Sequence, residues 1–111
     1  MKRQQHEYSF SQRVWELATS IPAGYVTTYG DLAKAAGGTG MAARSITSIL
    51  SKAPNQGAIP YHRIVYANGR VWFSSEDEQS RRTRYKREHI DVDARGMITN
   101  FEDVRYVFQS W

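Results

Sequence analysis

Apolar residues recur at helical spacing in the first half of the chain and predict three helices there. In residues 10–21 the apolar side chains fall on one stripe, and Ser9 with Gln12 three positions later forms a capping-box pattern. A second helix is predicted to begin at Thr28, with Asp31 as its reciprocal cap, and to end at a pair of glycines.

The third predicted helix follows a glycine-containing turn at residues 39–41 and runs to about Ala53, where Pro54 closes it. Its apolar stripe indicates one buried face. Two short helices joined by such a turn are typical of the helix-turn-helix, whose second helix enters a groove of DNA. Any small helical domain contains such pairs, so the pattern alone favours DNA binding without requiring it.

The second half of the chain alternates between short extended stretches and one charged helix. Asn68-Gly69 stands between two apolar runs, residues 64–67 and 70–73, which predicts a β-hairpin and, after the helix-turn-helix, a winged-helix outline. Ser75 is predicted to cap the next helix, whose many arginines are expected to form a mostly solvated face.

The remaining pattern completes a small α+β fold. Residues 90–92 and 97–99 predict two short strands, and the aromatic side chains of residues 104–111 are expected to pack back on the core. No internal repeat or linker is visible, so one domain with a winged-helix DNA-binding core is predicted over residues 1–111. No stretch has the apolar length of a membrane span or the pattern of a signal peptide, so a cytoplasmic protein is expected.

The amino-acid composition limits the kinds of functional site that the protein can have. The sequence has no cysteine, which excludes disulfides, thiolate zinc sites and thiol nucleophiles, and its 3 histidines lie far apart, so neither a metal nor a cofactor is expected. Lys and Arg total 15 against 11 Asp and Glu, a net charge of +4. Residues 1–75 carry 8 of the basic and 3 of the acidic side chains, so this part of the chain is expected to face a polyanion.

One stretch, Pro60-Tyr61-His62-Arg63, resembles the Pro-Cys-His-Arg motif that carries the nucleophile of the O6-alkylguanine-DNA alkyltransferases. Further matches at the family's spacing are Ile21-Pro22, Thr28-Tyr29-Gly30 and Ala43-Arg44-Ser45. Tyrosine stands where the family has its alkyl-accepting cysteine. With this change, the chain resembles the alkyltransferase-like proteins, which bind alkylated DNA without repairing it.

The resemblance implies two sets of site residues. Arg44 is expected to enter the minor groove and replace the flipped nucleotide, a role that suits a planar guanidinium. Read alone, Arg44 is equally an exposed arginine near a helix start, and Tyr29 an amphipathic core tyrosine. The DNA-binding set comprises Arg44, Thr28, Tyr29, Gly30, Ala43, Ser45 and Thr47, and the lesion pocket comprises Tyr61, Tyr29, Leu50, His62, Arg63 and Val71.

Tyr61 argues against alkyl transfer. At neutral pH a phenol is roughly 30-fold less ionised than a thiol, and its oxygen is a harder nucleophile, poorly matched to a saturated carbon. The ring also fills the volume where an acceptor and the alkyl group would meet. The chain is therefore expected not to be an enzyme. A phenol can still line a pocket, stack and donate a hydrogen bond to a lesion, although a plain core aromatic remains the alternative.

The residues around the motif are expected to be mainly architectural. In the family, the histidine relays a proton from the thiol to a glutamate, and Glu88 aligns with that glutamate. Without a thiol, His62 is expected to hold the loop through its ring hydrogen bonds, with Glu88 as its partner. Arg63 is expected to brace the loop through backbone carbonyls or a carboxylate.

Two departures from the family pattern leave alternatives open. Ala53 stands where the family has a hinge asparagine, a place that Asn55 can take instead. Ser74 stands where some alkyltransferase-like proteins have a pocket arginine, which leaves Arg70 or the Arg81-Arg82 pair as substitutes.

The resulting hypothesis is recognition of O6-alkylguanine in double-stranded DNA by minor-groove docking and nucleotide flipping. The resemblance implies a cytoplasmic monomer that joins the nucleoid on binding and marks the lesion for nucleotide excision repair proteins. Two alternatives remain. One is a suicide alkyltransferase in which Tyr61 accepts the group, and the other is a winged-helix regulator without lesion specificity.

Overall fold

The computed structural model describes residues 9–108, with the backbone alone at residues 40 and 41. In chain order its regular elements are α1 (Phe10–Thr19), β1 (Thr27–Thr28), α2 (Tyr29–Ala35), α3 (Ile46–Ser51), β2 (Ile64–Val65), α4 (Glu78–Arg87) and α5 (Phe101–Val104). Three 3-10 segments lie between them, at Gly40–Ser45, Gln56–Ala58 and Tyr61–Arg63. The α+β class predicted from the sequence is confirmed.

Helix α1 begins at the predicted capping box. The Gln12 amide donates to the Ser9 hydroxyl oxygen at 3.1 Å, and the Ser9 amide donates back to Gln12 Oε1 at 2.9 Å, which satisfies two amides that a helix start otherwise leaves without partners. Its buried face meets α3, to which Trp15 donates a hydrogen bond through Nε1 to the Ile49 carbonyl oxygen at 2.7 Å.

The helix-turn-helix consists of α2, the 3-10 segment Gly40–Ser45 and α3. Thr28 caps α2 as predicted, because its Oγ1 accepts from the Asp31 amide at 2.9 Å. The predicted reciprocal bond is wrong, since the Asp31 carboxylate accepts instead from Arg105 Nε and Nη2 at 2.9 and 3.1 Å. The third helix is shorter than predicted, because its first residues wind as a 3-10 helix, a frequent start for an α-helix.

The Asn68-Gly69 turn forms, but the predicted hairpin does not extend beyond it. Gly69 donates to the Tyr66 carbonyl oxygen at 2.8 Å, and the Tyr66 amide donates to the Arg70 carbonyl oxygen at 3.0 Å. Glycine suits this turn because its φ of 86° lies in the left-handed region that side chains disfavour.

Each arm of the turn joins a different partner. Strand β2 pairs in parallel with β1 in the register Thr27–Ile64 and Thr28–Val65. On the other side, Val71 donates to the Gly96 carbonyl oxygen at 2.8 Å, and Arg70 forms an antiparallel bridge with Met97. The helices therefore match the winged-helix expectation. The wing does not, because it is a single turn, and the segments before and after the turn pair with different parts of the chain.

Strand β2 lies between two hydrophobic cores. Successive strand residues point to opposite faces, so Ile64 joins the core beneath the helix-turn-helix and Val65 joins the core beneath α4. The first core includes Val14, Ala18, Ile21, Leu32, Ala33, Ala36, Ile46, Leu50, Ala53 and Ile59, and the second includes Val26, Val71, Tyr85, Ile90, Ile98 and Val104.

Helix α4 begins later than predicted. Ser74 and Asp77 exchange hydrogen bonds, because the Ser74 amide donates to Asp77 Oδ1 at 2.8 Å and the Asp77 amide donates to Ser74 Oγ at 3.1 Å. This turn ends at Asp77, so the first helical residue is Glu78 and Ser75 is not the cap.

The last described segment returns to the helix-turn-helix. The two short strands predicted at residues 90–92 and 97–99 do not form, and the two segments are joined instead by an isolated antiparallel bridge between Val92 and Ile98. The four-residue helix α5 was not predicted. Beyond it, Tyr106 and Phe108 pack on the first core, and residues 109–111 of the predicted tail lie outside the described residues. Within residues 9–108, none of the helices has the length and apolar character needed to cross a membrane.

Candidate nucleic-acid interface and base pocket

The motif turn Tyr61–Arg63 is fastened by one carboxylate, that of Glu88. His62 Nε2 lies 2.9 Å from Glu88 Oε2, and because a carboxylate only accepts, this ring nitrogen carries the proton. Arg63 donates to both oxygens, through Nε at 3.0 Å and Nη2 at 2.7 Å, and its Nη1 reaches the Ile21 carbonyl oxygen at 3.0 Å. The Gly24 amide donates to the same carboxylate at 3.0 Å. Both predicted contacts, His62 with Glu88 and Arg63 with a carboxylate and a carbonyl, are confirmed.

These contacts fix the protonation of the cluster. Burial opposes ionisation of Glu88, but hydrogen bonds from Arg63, the Gly24 amide and His62 outweigh it and lower the pKa to about 2. Burial lowers the pKa of His62, and the hydrogen bond that its ring donates to Glu88 offsets this only in part. At neutral pH the cluster therefore holds an ionised carboxylate, a guanidinium and a neutral imidazole.

The Tyr61 hydroxyl is engaged within the protein. Its single proton is shared between two acceptors, Gln56 Oε1 at 2.6 Å and, more weakly, the Leu50 carbonyl oxygen at 3.2 Å. Gln56 in turn donates through Nε2 to the Leu50 and Ala53 carbonyl oxygens at 2.8 and 2.9 Å. Gln56, which the sequence did not single out, thus ties Tyr61 to the end of α3 at the place where the family has its hinge.

Four aromatic side chains and one guanidinium surround a cavity of about 290 Å³, which we call the base pocket. This volume is close to the lower end of small-ligand sites, ~300 Å³. Within its lining, the rings of Tyr29 and Tyr66 contact each other, with centroids 5.6 Å apart and planes tilted by 47°. Its lining comprises Tyr29, Thr47, Tyr61, Ile64, Tyr66, Trp72 and Arg81.

Tyr29 is a neutral hydrogen-bonding group of this pocket. Burial, with Tyr66 alongside, raises its pKa, while a side-chain hydrogen bond with Thr47 and the charge of Arg81 act in the opposite direction. Its phenol therefore keeps its proton throughout the neutral range.

Arg81 is the one charged side chain in the described lining of the base pocket. Its Nε donates to Asp77 Oδ2 at 3.0 Å, and its guanidinium lies 5.5 Å from the centre of the Trp72 ring. Of the alternatives that the sequence left open, Arg70 is absent from the described lining. Arg82 is held by Glu78 at 2.8 Å and lies against Phe73 instead.

A second cavity of about 260 Å³, which we call the rear pocket, shares Tyr61 and Arg81 with the base pocket. Its other lining residues are Ile59, His62, Asp77, Ser80 and Arg84. The ring of His62 is buried here, and its Nδ1 has no hydrogen-bond partner among the described residues.

Three predicted lesion-pocket residues line neither cavity, and a fourth, His62, lines only the rear pocket. Leu50 and Val71 are buried in the two hydrophobic cores, and the Leu50 carbonyl oxygen accepts from the Tyr61 hydroxyl. Arg63 points to Glu88. Tyr66 and Trp72 are in the lining although the sequence predicted neither, because the separated arms of the turn at residues 68–69 place them there.

The predicted DNA-binding residues fall on the helix-turn-helix. Arg44 and Ser45 are exposed in the 3-10 segment, and Ala43 is half-buried beside them. Thr47, one turn after Arg44, is exposed and reaches the base pocket. Tyr29 and Gly30 are half-buried at the start of α2, whereas Thr28 is 2% exposed, so its side chain serves the helix cap.

A larger cavity, about 530 Å³, lies between α4 and the segment of residues 89–99, and none of the predicted site residues lines it. Across residues 9–108 there is no group of three or more His, Cys, Asp or Glu side chains arranged to hold a metal ion.

Comparison with known proteins agrees with this geometry. Residues 9–90 match the family described as 6-O-methylguanine DNA methyltransferase, DNA binding domain. Over 97 residues the chain is 39% identical to the DNA base-flipping protein of Escherichia coli K12, covering 87% of this chain and 74% of that protein.

Solved structures share the fold. S. pombe Atl1, solved in complex with damaged DNA containing O6-carboxymethylguanine, has a TM-score of 0.69 at 22% identity and covers 96% of this chain and 98% of its own. The O6-methylguanine methyltransferase of Mycobacterium tuberculosis has a TM-score of 0.58 at 28% identity and covers 80% of this chain and 53% of its own. The first of these likenesses is one of fold alone.

The family predicted from the motif and its spacing is thereby confirmed. The sequence contains no cysteine, and Tyr61 occupies the motif position of the family's nucleophile. The chain belongs to the family of the 6-O-methylguanine DNA methyltransferase DNA-binding domain, as an alkyltransferase-like member.

Proposed function

We propose that this protein recognises O6-alkylguanine in duplex DNA by flipping the modified nucleotide into the base pocket, without transferring the alkyl group. The observation that carries the proposal is the lining of that pocket, where four aromatic rings and one guanidinium surround a volume suited to a single base. Stacking on aromatic side chains is worth about 1–3 kcal/mol per base, which is enough to offset the few kcal/mol that flipping costs.

The comparisons support the same activity. The E. coli relative is named for base flipping, and S. pombe Atl1 has been solved with DNA containing an O6-alkylated guanine. In our proposal this chain acts likewise. It approaches the minor groove with α3 and the preceding 3-10 segment, and Arg44 fills the space that the flipped nucleotide leaves. Tyr29, Gly30, Ala43, Ser45 and Thr47 line the DNA backbone, and Thr28 supports them through its cap.

The proposed pocket is non-catalytic because Tyr61 is occupied. Its hydroxyl proton is directed to Gln56 and Leu50, so the phenol presents its ring and an accepting oxygen to a lesion, not a nucleophile. This differs from the sequence expectation that the phenol would donate to the lesion. His62 does not activate it, since the hydroxyl is hydrogen-bonded to Gln56 and Leu50 and makes no hydrogen bond with His62 Nδ1.

We also propose the setting in which the protein works. Residues 1–111 form a single domain that acts as a cytoplasmic monomer, associates with the nucleoid when bound to DNA, and presents the marked lesion to nucleotide excision repair proteins. No cofactor takes part.

The test is a binding titration of O6-methylguanine duplex against its unmodified twin, with two tyrosine variants. Tyr66 and Tyr25 are similarly exposed, at 44% and 42%, but only Tyr66 lines the base pocket. We expect Tyr66→Ala to lose about tenfold in preference for the modified duplex, as one lost stack implies. Tyr25→Ala should retain the preference. Equal binding of both duplexes by the wild type would refute lesion recognition and leave a general DNA-binding regulator.

Intact-mass measurement separates recognition from repair. After incubation with an excess of methylated duplex, the protein mass should be unchanged and the DNA should still contain O6-methylguanine. A stoichiometric methyl adduct on Tyr61, with guanine restored, would instead establish a suicide alkyltransferase.

A further inference from the structure

The rear pocket has a chemistry different from that of the adjoining base pocket. The base pocket is walled by aromatic rings, whereas the rear pocket is walled largely by polar and charged side chains. The two cavities share Tyr61 and Arg81, so these two side chains stand between them. A substituent on a base in the base pocket has to pass these two side chains to enter the rear pocket.

The charges around the rear pocket favour an anion. Arg81 and Arg84 stand one turn apart on α4 and both line it, against the single carboxylate of Asp77. Both oxygens of that carboxylate are already taken, since Oδ1 accepts from the Ser74 amide and hydroxyl at 2.8 Å and Oδ2 accepts from Arg81 at 3.0 Å. Arg84 is exposed, and its side chain forms no ion pair or hydrogen bond with the other described residues.

His62 lines the rear pocket without adding charge to it. It is 7% exposed, and its Nδ1 has no hydrogen-bond partner in the described part of the chain. Because Nε2 carries the proton, Nδ1 can only accept a hydrogen bond, which a carboxylate cannot supply. The charge of Arg84 and the lone pair of His62 therefore make opposite demands on a substituent, the first for an anion and the second for a hydrogen-bond donor.

We infer that the rear pocket is a subsite for the O6 substituent and selects substituents that carry a negative charge, with Arg84 as the selecting residue. The inference rests on the proposed function, because it requires a guanine in the base pocket with its O6 edge toward Tyr61 and Arg81. A carboxylate on the substituent meets the guanidinium of Arg84, while a methyl group stays within the base pocket. Charge-assisted hydrogen bonds of this kind are the strong ones.

The experiment compares two isosteric adducts, O6-carboxymethylguanine and O6-carbamoylmethylguanine, placed at the same position of one duplex. They differ in charge and hardly in size, so the ratio of their affinities cancels stacking, flipping and general DNA binding. We expect the wild type to prefer the carboxylate by about tenfold, as a charged hydrogen bond in a partly exposed site implies. The preference should weaken at high salt.

Two arginine variants locate the effect. Arg84→Ala should bring the affinity ratio close to one. Arg87→Ala removes the same charge from an exposed position of α4 that is absent from the described lining of both pockets, and it should keep the ratio. A ratio of one in the wild type, or a ratio that survives in Arg84→Ala, overturns the subsite. Tighter binding of the carbamoylmethyl adduct also overturns it, because an amide can donate to His62 Nδ1 and His62 would then be the selecting residue.

Failure of this inference is distinguishable from failure of the proposed function. If both adducts bind equally but more tightly than unmodified duplex, lesion recognition stands and only the anion subsite is lost. If neither adduct binds more tightly than unmodified duplex, the proposed function itself fails.

Discussion

Arg44 and Glu88 show how differently single residues work in this protein. Arg44 is exposed in the 3-10 segment before α3, where nothing in the fold requires a guanidinium. Glu88 is drawn into contacts with Gly24, His62 and Arg63 from two distant parts of the chain. Substitution of Arg44 should therefore weaken DNA binding without changing the stability of the fold. Substitution of Glu88 should lower the stability of the fold, and any effect on DNA binding should follow from that loss.

Substitution of Arg44 tests whether its side chain fills the space that the flipped nucleotide leaves. We expect Arg44→Ala and Arg44→Lys both to lose lesion affinity, by about 1–3 kcal/mol if a stack is lost, because lysine keeps the charge but not the plane that stacks and pairs. Residual binding to unmodified DNA should survive better in the lysine variant. Fluorescence of 2-aminopurine at the target position, which brightens on unstacking, reports flipping. If Arg44→Ala flips and binds as well as the wild type, Arg44 is only a surface charge.

Substitution of Glu88 tests the cluster. Removal of one partner from a buried ion pair costs about 3–5 kcal/mol, and we expect Glu88→Gln to lose about 2–3 kcal/mol because Arg63 keeps 19% of its side chain exposed. Urea unfolding at pH 7 measures this loss. An unchanged unfolding midpoint would show that Arg63 and His62 find equivalent partners.

The same variant predicts a pH dependence. The folded pKa of Glu88, about 2, lies below the ordinary 4.5, so its contribution is present above pH 4.5 and is lost as the pH falls from 4.5 toward 2. The pKa of His62 is also lowered, so its contribution is complete above its ordinary pKa of 6.5 and also declines with acid. Stability plotted against pH should fall less steeply between pH 4.5 and 3 in Glu88→Gln, and parallel curves would contradict this assignment.

Among the site residues, those tied to a short motif were predictable and those brought in by the fold were not. The contacts of His62 and Arg63 with Glu88 were predicted because the motif fixes residue types and spacing. Gln56 and Trp72 gave no such signal. Gln56 matters only because α3 ends within reach of Tyr61, and Trp72 only because its segment turns toward Met97.

At the scale of elements, local sequence signals predicted where the chain turns and where helices begin, but not which segments pair with each other. The capping box of Ser9 and the cap of Thr28 involve neighbours three residues apart, so the sequence contains the whole interaction. Asn68-Gly69 likewise makes a turn. The partner of Arg70, however, is 27 positions away at Met97, and Val71 beside it is buried in the second core, contacts that no local signal contains.

Two glycines of positive φ allow the turn to be tested. Gly69 and Gly96 have φ of 86° and 84°, so alanine is strained at both, by about 1–2 kcal/mol. A Cβ at Gly96 would meet its neighbours at 3.6 Å or more, whereas at Gly69 it would lie 3.1 Å from Phe101 Cγ. We therefore expect Gly69→Ala to be the less stable variant, by about 1 kcal/mol, in thermal unfolding. Equal losses would mean that Phe101 moves aside without penalty.

At the scale of the whole molecule, the final segment locks the helix-turn-helix to the second core. Val26 donates to the Val104 carbonyl oxygen at 2.9 Å and accepts from the Tyr106 amide at 2.7 Å, while Arg105 pairs with Asp31 in α2. Val104, Arg105 and Tyr106 follow the family match, which ends at residue 90. The apolar pattern predicted that the aromatic side chains of this segment pack on the core, but neither the pattern nor the motif spacing could predict the pairing of Arg105 with Asp31.

Charge over the whole molecule predicts how binding responds to salt. In α4, Arg81 and Arg82 pair with Asp77 and Glu78, which leaves most of the basic surplus in residues 1–75. We expect affinity for any duplex to fall with salt as if about 3–6 phosphates were neutralised. Titrations between 50 and 200 mM salt measure the slope, with the preference for methylated over unmodified duplex as an internal control that changes little. A flat slope would rule out an interface dominated by the DNA backbone.

The hydrogen-bonded hydroxyl of Tyr61 has a consequence for the number of protein molecules that a cell needs. A protein that forms no covalent bond with the modified base leaves the base unchanged, and it can dissociate and bind another lesion. Its working capacity is then set by residence time and search rate, and not by the number of molecules synthesised. A small, constant population can survey a whole chromosome repeatedly, provided that each visit lasts long enough for something else to act.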